Sequence, residues 1–371
     1  MSTMLYTRNR DFLAVTLYAH LGLLLAFTPP NPSTRLLATI ALVAHGICAY
    51  VHAAPPDEVT YVSNALMIGI NVVIYGSHFL YLTLRSPPPS AVTLRQKANW
   101  CVKLLSSPRD PRHQPPFSRR DPAYVPSRGR FVVSQLLKIL FCAVLEELFD
   151  SLNERFDASL LPGDYSPAKT VFVRRVLLGA PWQWREVWIR AWFPLVFVIP
   201  QYAFKTTEYC YFSLIAIFVF GDDHRDWRPL FGDLRDTYTL RRFWGNFEPQ
   251  YIRQAYVSHA KAFTNLVLGI RSARLKRMTI TALVFSMTTA VYALISFKEG
   301  GSVTSMVRQW ARIVAGIVFE DTVQMCFRWA MPTSARGATP WWARLVGYVW
   351  VYFFFSWSLA KVWFPVDERL H

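Results

Sequence analysis

Long apolar runs broken by prolines and short charged stretches give this chain its pattern. Residues 11–28 (DFLAVTLYAHLGLLLAFT) form one run closed by Pro29 and Pro30; residues 34–51 form a second, ended by the PPDE at 55–58. Residues 61–83 form a third, closed by Pro87, Pro88 and Pro89. Such lengths suit a helix crossing the hydrocarbon core, and the proline groups forbid its continuation. Further apolar helices are predicted over 131–148, 279–297, 310–326 and 343–362. Residues 189–204 and 209–220, separated by KTTE, read as two short spans or one kinked hairpin; residues 262–270 read as a short segment buried without spanning. The pattern predicts a single all-α transmembrane domain over 1–371, a polytopic bundle of about eight or nine spans.

Between the runs the composition changes. Residues 84–130 carry Arg95, Lys97, Lys103, Arg109, Arg112, Arg119, Arg120, Arg128 and Arg130 among many prolines, and read as a basic, Pro-rich loop on the cytosolic side. Residues 151–186 form a connector in which Arg174, Arg175 and Arg185 mix with Trp182 and Trp184, a combination suited to the head-group region. Glu146, Glu147 and Asp150 end the 131–148 helix, with Glu146 and Asp150 on one face. The amino end lacks a small-residue cleavage site and reads as the first membrane helix.

Of the 371 residues, 53% are hydrophobic and 17% charged, too few charges to cover a soluble protein of this size. The net charge of +16 lies in short loops between apolar runs, which favours contact with the head groups of a lipid bilayer or with an anionic co-substrate such as a CoA thioester or a diphosphate. No groove-reading element is visible, so nucleic acid is excluded as a partner. Five cysteines stand singly without metal-ligand spacing, and no metal site is expected from them. The DDHRD run at 222–226 has the carboxylate spacing of a Mg²⁺–diphosphate site, but the end of a solvated helix explains it as well.

One stretch, residues 221–260, sets large rings beside charges in a way no ordinary loop requires. It holds Trp227, Pro229, Leu230, Phe231 and Gly232, then Thr239, Leu240, Arg241, Arg242, Phe243, Trp244 and Gly245. These residues resemble two elements of the fungal wax synthase-like proteins of the membrane-bound O-acyltransferase (MBOAT) superfamily: tryptophan-proline-phenylalanine-glycine, and serine-leucine-arginine leading into phenylalanine-tryptophan-glycine. The resemblance implies a cavity-forming helical bundle and transfer of an acyl or acetyl group from acyl-CoA or acetyl-CoA to a lipophilic alcohol. It also implies a place in lipid, terpenoid or meroterpenoid secondary metabolism at the endoplasmic reticulum. In that picture Arg241, Arg242, Trp244 and Gln250 position the anionic co-substrate, and the stretch 227–254 forms part of the wall of a reaction chamber.

Two departures concern the chemistry. Pro249 stands where the family has a histidine after phenylalanine-tryptophan-glycine, and Ala290 stands where a second is expected in the following helix. A histidine is wanted there to take the proton of the attacking hydroxyl, since its pKa lies near working pH. Of the eight histidines present, at 20, 45, 52, 78, 113, 224, 259 and 371, His259 lies nearest the motif and is the substitute base. His20 and His45, inside spans, are expected to pair or to line a cavity. The acids offer a different chemistry. Glu320 and Asp321 inside an apolar run, Glu147 near a helix end and Glu248 in the altered motif could protonate an alkene or epoxide, or could pair with Arg241, Arg242 or Arg328. Three readings therefore stand: acyl transfer, a terpenoid cyclase or isomerase using buried carboxylic acids, and a non-catalytic lipid-binding relative.

Overall fold

The computed structural model describes residues 16–52, 59–91, 93–106, 116–118, 121, 123–161, 163–248, 250–298, 300–330 and 340–364. Pro249, His113, His371, residues 11–15, and the arginines at 109, 112, 119 and 120 lie outside the described residues, as do the side chains of His52, Gln250 and Arg328. The described residues are helical throughout, with no strand among them. The chain is an all-helical membrane protein. Four of its helices are long and apolar enough to cross a bilayer, and two shorter apolar helices join them among the described residues. The runs expected at 131–148 and 310–326 are helical too, each with several charges along it. The contacts divide the chain into two compact units.

The first unit takes in the described residues of Met1–Gln114, with Ala216–Asp222 and Tyr251–Met306. Helix α1 (Thr16–Phe27) places Leu17, Leu21 and Leu25 four residues apart, so all three face inward. They meet Ala38, Leu42 and Ala49 of α2 (Pro32–His52) and Val72, Tyr75 and Phe79 of the third helical segment, α3 (Val59–Ser77), which runs into a π turn over His78–Leu82. Glycines let these helices close up: a Cβ on Gly76 would sit 2.0 Å from Leu42, and one on Gly46 would sit 2.4 Å from Val73. The described part of the basic stretch 84–130 includes helix α4 (Leu94–Ser106), whose Trp100, Cys101 and Leu104 pack on this core.

The second unit takes in Pro115–Ile215, Asp223–Gln250 and Val307–His371. Its longest members are α5 (Arg128–Ala158) and, after the short α6 (Phe172–Leu177), α7 (Trp184–Phe218). Helix α7 corrects an expectation. The KTTE segment is neither a break nor a hairpin but part of one continuous helix of 35 residues with Pro194 and Pro200 inside it. Its lysine is satisfied laterally, since Lys205 reaches Glu248 at 2.7 Å and Gln201 at 3.1 Å, so that charge does not oblige the helix to stop there. The unit continues with α8 (Leu240–Arg242), which opens into a π turn at Phe243–Phe247.

Four helices follow among the described residues. Helix α9 (Gln250–Ala262) and α10 (Ala273–Lys298) build on the first unit; α11 (Val303–Ala330) lies mainly in the second, as does α12 (Trp341–Trp363). A second correction concerns 262–270. That segment forms a π turn (Phe263–Val267) whose apolar side chains point outward, with Leu266 83% exposed, while the polar Thr264 is the one buried in it. Thr264 turns inward because its hydroxyl bonds the Ala260 carbonyl at 2.7 Å.

Candidate functional site

The 227–247 stretch is packed as a core element of the second unit. Trp227, Leu240, Phe243 and Phe247 are buried. Gly232 comes so close to the π turn that a Cβ there would sit 2.0 Å from the Asn246 carbonyl oxygen, and its N–H donates to the Phe247 carbonyl at 3.1 Å. Only glycine allows that approach, so the first motif is the docking partner of the second. Asp223 and Asp233 each accept a hydrogen bond from the backbone N–H two residues on, shaping short 3-10 turns at His224–Asp226 and Leu234–Asp236. The DDHRD run thus supplies a turn cap, and no cluster of metal-ligating side chains occurs among the described residues.

The acids predicted in α11 anchor this element. Glu320 is 5% exposed; its carboxylate accepts from the backbone N–H of Leu240 at 2.6 Å and of Arg241 at 3.3 Å, and from the Trp350 indole at 2.8 Å. It therefore caps the start of α8, where unpaired amide donors favour an anion. Asp321, the next residue, faces outward and takes the Arg241 guanidinium through Nε at 3.1 Å and through a second nitrogen. Arg242 lies 3.8 Å from Asp236 and stacks over the Tyr238 ring at 4.5 Å. Trp244 joins a ring cluster with Phe197, Phe243, Trp310 and Phe355. Glu248 pairs with Lys205, whereas Glu147 lies exposed on α5, apart from these groups.

The structure thus brings Glu320, Asp321, Arg241 and Arg242 to one element and gives each of these charges an internal partner. Signals for this were present in the sequence as the choice between acid chemistry and acid–arginine pairing.

A second polar cluster lies within the first unit, around His259. Its Nδ1 is 2.7 Å from the Ala255 carbonyl, and its Nε2 is 2.8 Å from the Ser77 hydroxyl. The carbonyl can only accept, so Nδ1 carries the proton and the lone pair of Nε2 faces Ser77. Burial pushes the His259 imidazole below the ordinary histidine range, against the opposing pull of the Ala255 bond. Nearby, the Tyr256 hydroxyl reaches Asn71 at 3.2 Å. His78, beside Ser77 at the start of the π turn, is 2% exposed, and neither of its ring nitrogens has a hydrogen-bond partner among the described residues. Sequence reading counted His78 only as one of eight; the mark it missed is the helical register that turns this residue inward.

The other histidines whose side chains are described have partners. His20 and His45 do pair, with 3.0 Å between their Nδ1 atoms, and His224 reaches the Pro126 carbonyl at 2.8 Å. Ala290, at the position of the second missing histidine, is exposed on α10, while Met287 and Val291 of the same helix pack against Tyr256.

Comparison with known proteins points the same way. Residues 227–312 match the model of the membrane bound O-acyl transferase family. The chain is 26% identical over 297 residues to "Acetyltransferase aurG" of Calcarisporium arbuscula, covering 77% of this chain and 69% of that protein. It is 31% identical over 193 residues to "Acetyltransferase atnC" of an Arthrinium species, covering 50% and 42%, and 30% identical over 230 residues to "Acetyltransferase nanB" of Aspergillus nanangensis, covering 61% and 53%. Two of these three matches thus span only about half the length of the curated relative. No solved structure matches.

Proposed function

From the premise that this chain is a membrane bound O-acyl transferase-like protein related to fungal acetyltransferases, we propose that it transfers an acetyl group from acetyl-CoA to the hydroxyl of a lipophilic secondary metabolite. The observation that carries this reading is His259. It is the only histidine within the matched residues 227–312, and its Nε2 is the unprotonated nitrogen, able to take a proton from a hydroxyl. An attacking hydroxyl gives its proton to Nε2 as its oxygen adds to the thioester carbonyl carbon; the C–S bond then breaks, and the thiolate recovers the proton as free CoA. Burial favours this role by keeping the imidazole neutral at working pH.

The acids argue for transfer over carboxylic-acid isomerisation. A group meant to give up a proton to an alkene must be free to reach it, whereas Glu320 is engaged by three hydrogen bonds at the start of α8 and Asp321 by the Arg241 guanidinium. The acceptor inferred is an alcohol of terpenoid or meroterpenoid type, and the setting inferred is the endoplasmic reticulum membrane, where such compounds and acyl-CoA meet.

The test uses membranes from a host expressing the full chain, incubated with a lipophilic extract with and without acetyl-CoA, and products read by mass. A CoA-dependent gain of one acetyl mass is expected, and the H259A variant should lose ~10²–10⁴-fold in rate. A new product of unchanged mass formed without any CoA ester would overturn the reading.

A further inference from the structure

The hydroxyl opposite the basic nitrogen of His259 belongs to the protein itself. Ser77 Oγ lies 2.8 Å from His259 Nε2, and the imidazole is held from behind by the Ala255 carbonyl at 2.7 Å. Because Nε2 is the unprotonated nitrogen, the serine must donate across this contact. The same hydroxyl can also donate to the Ile74 carbonyl at 3.0 Å, one turn back on its own helix, so its single proton is shared between two acceptors and is activated when turned toward Nε2. A hydroxyl, a base and a third group that sets the base's tautomer constitute an activated nucleophile.

A second, independent observation marks the place as one that takes a polar ligand. His78 adjoins Ser77 in the chain, is almost wholly buried, and has neither ring nitrogen satisfied among the described residues. Leaving such groups unpaired is costly, and a carbonyl oxygen arriving with a ligand would satisfy the ring N–H. The backbone is disturbed at the same point, where α3 passes into the π turn His78–Leu82, a local widening that recurs at functional sites. The His78 ring lies 5.0 Å from that of Phe79, and Phe79, Leu80 and Ala255, neighbours of these residues in the chain, belong to a buried apolar cluster, so a thioester would react there away from bulk water.

We propose that Ser77 is a nucleophile that carries the acyl group, so that transfer proceeds in two steps through a serine ester; this rests on the acyl-transfer reading above. In the first step the Ser77 proton moves to His259 Nε2 and Oγ attacks the thioester carbonyl carbon. The C–S bond breaks, and the leaving thiolate takes the proton from Nε2, giving free CoA and O-acyl-Ser77. In the second step the acceptor alcohol gives its proton to the same Nε2 and attacks the ester carbonyl. Ser77 Oγ then leaves and regains its proton. His78 donates a ring N–H to the carbonyl oxygen in both steps, holding the charge that builds on it.

The experiment needs no acceptor. The full-length protein, purified in detergent, is mixed with radiolabelled acetyl-CoA, quenched in acid, and assayed for protein-bound label and for the mass of the peptide containing Ser77. The expected result is one acetyl group on Ser77, released by hydroxylamine, absent from S77A, and formed ~10²–10⁴-fold more slowly in H259N. An S77C variant, isosteric and more nucleophilic, should take up label as a thioester, which separates loss of the nucleophile from loss of folding. Acetyl transfer to an acceptor by wild-type protein without any Ser77 adduct, or by S77A near the wild-type rate, would overturn the two-step route and leave the transferase reading standing. If wild-type protein gives neither adduct nor acetylated product, both fall.

Discussion

Glu320 and Asp321 are neighbours with opposite fates. Successive residues on a helix point about 100° apart, so one faces the packed start of α8 and the other faces outward. Replacing Glu320 by glutamine puts an amide among three donors and should destabilise the protein by about 1–3 kcal/mol. Asp321→Asn breaks only a pair whose side chains are 47% and 54% exposed, and should cost under about 1 kcal/mol. Thermal unfolding midpoints of the two variants in one detergent would check the contrast, and equal shifts would contradict it. The sequence already narrowed the acids to chemistry or pairing with arginine. It could not tell which acid is buried, because that depends on where α8 docks. His78 was opaque for the same reason: nothing in YGSHFL says that its histidine turns into the core.

Elements here are held by polar fastenings at their ends as much as by their apolar faces. Before α7 begins, Asp164 takes the Arg185 guanidinium at 2.6 Å, the Leu161 N–H at 2.8 Å and Lys169 at 3.4 Å, tying the turn after α5 to the helix that follows. Burial opposes ionisation of Asp164, but the Arg185 bond, the Leu161 amide and Lys169 outweigh it and hold the carboxyl below the usual aspartate range. A folded-state pKa below the unfolded value of about 3.9 means that this contribution is fully present above that value and is lost as pH falls through the lowered one. The melting midpoint should therefore fall more steeply below about pH 4 in the wild type than in D164N, as a pH series of melts would show. At this scale the prolines misled. Pro29–Pro30 and Pro87–Pro89 do bound helices, but Pro194 and Pro200 lie inside α7. Proline removes only its own N–H, and an apolar helix packed along its length tolerates that loss.

Across the whole molecule the outer helix faces are apolar. Leu37 and Ile47 of α2, Phe297 of α10 and Val349 of α12 are among many large hydrophobic side chains left more than half exposed. A surface of that kind is stable only against hydrocarbon. After an alkaline carbonate wash the full-length protein should stay with the membrane pellet; its release into the supernatant would contradict an integral position.

By itself the sequence determined the helical class, the membrane setting, the likeness carried by the 227–245 motifs and the two positions, Pro249 and Ala290, where that likeness expects histidine. These follow from local quantities: the length of apolar runs, the density of charge and the spacing of motif residues. Only the tertiary structure decided that the motif stretch is a packed core element capped by Glu320, that Arg241 answers Asp321, and that Ser77, 182 residues away in the chain, lies against His259. Each of these depends on which face of one helix meets which face of another, and such contacts arise from packing over long chain separations that no local pattern encodes.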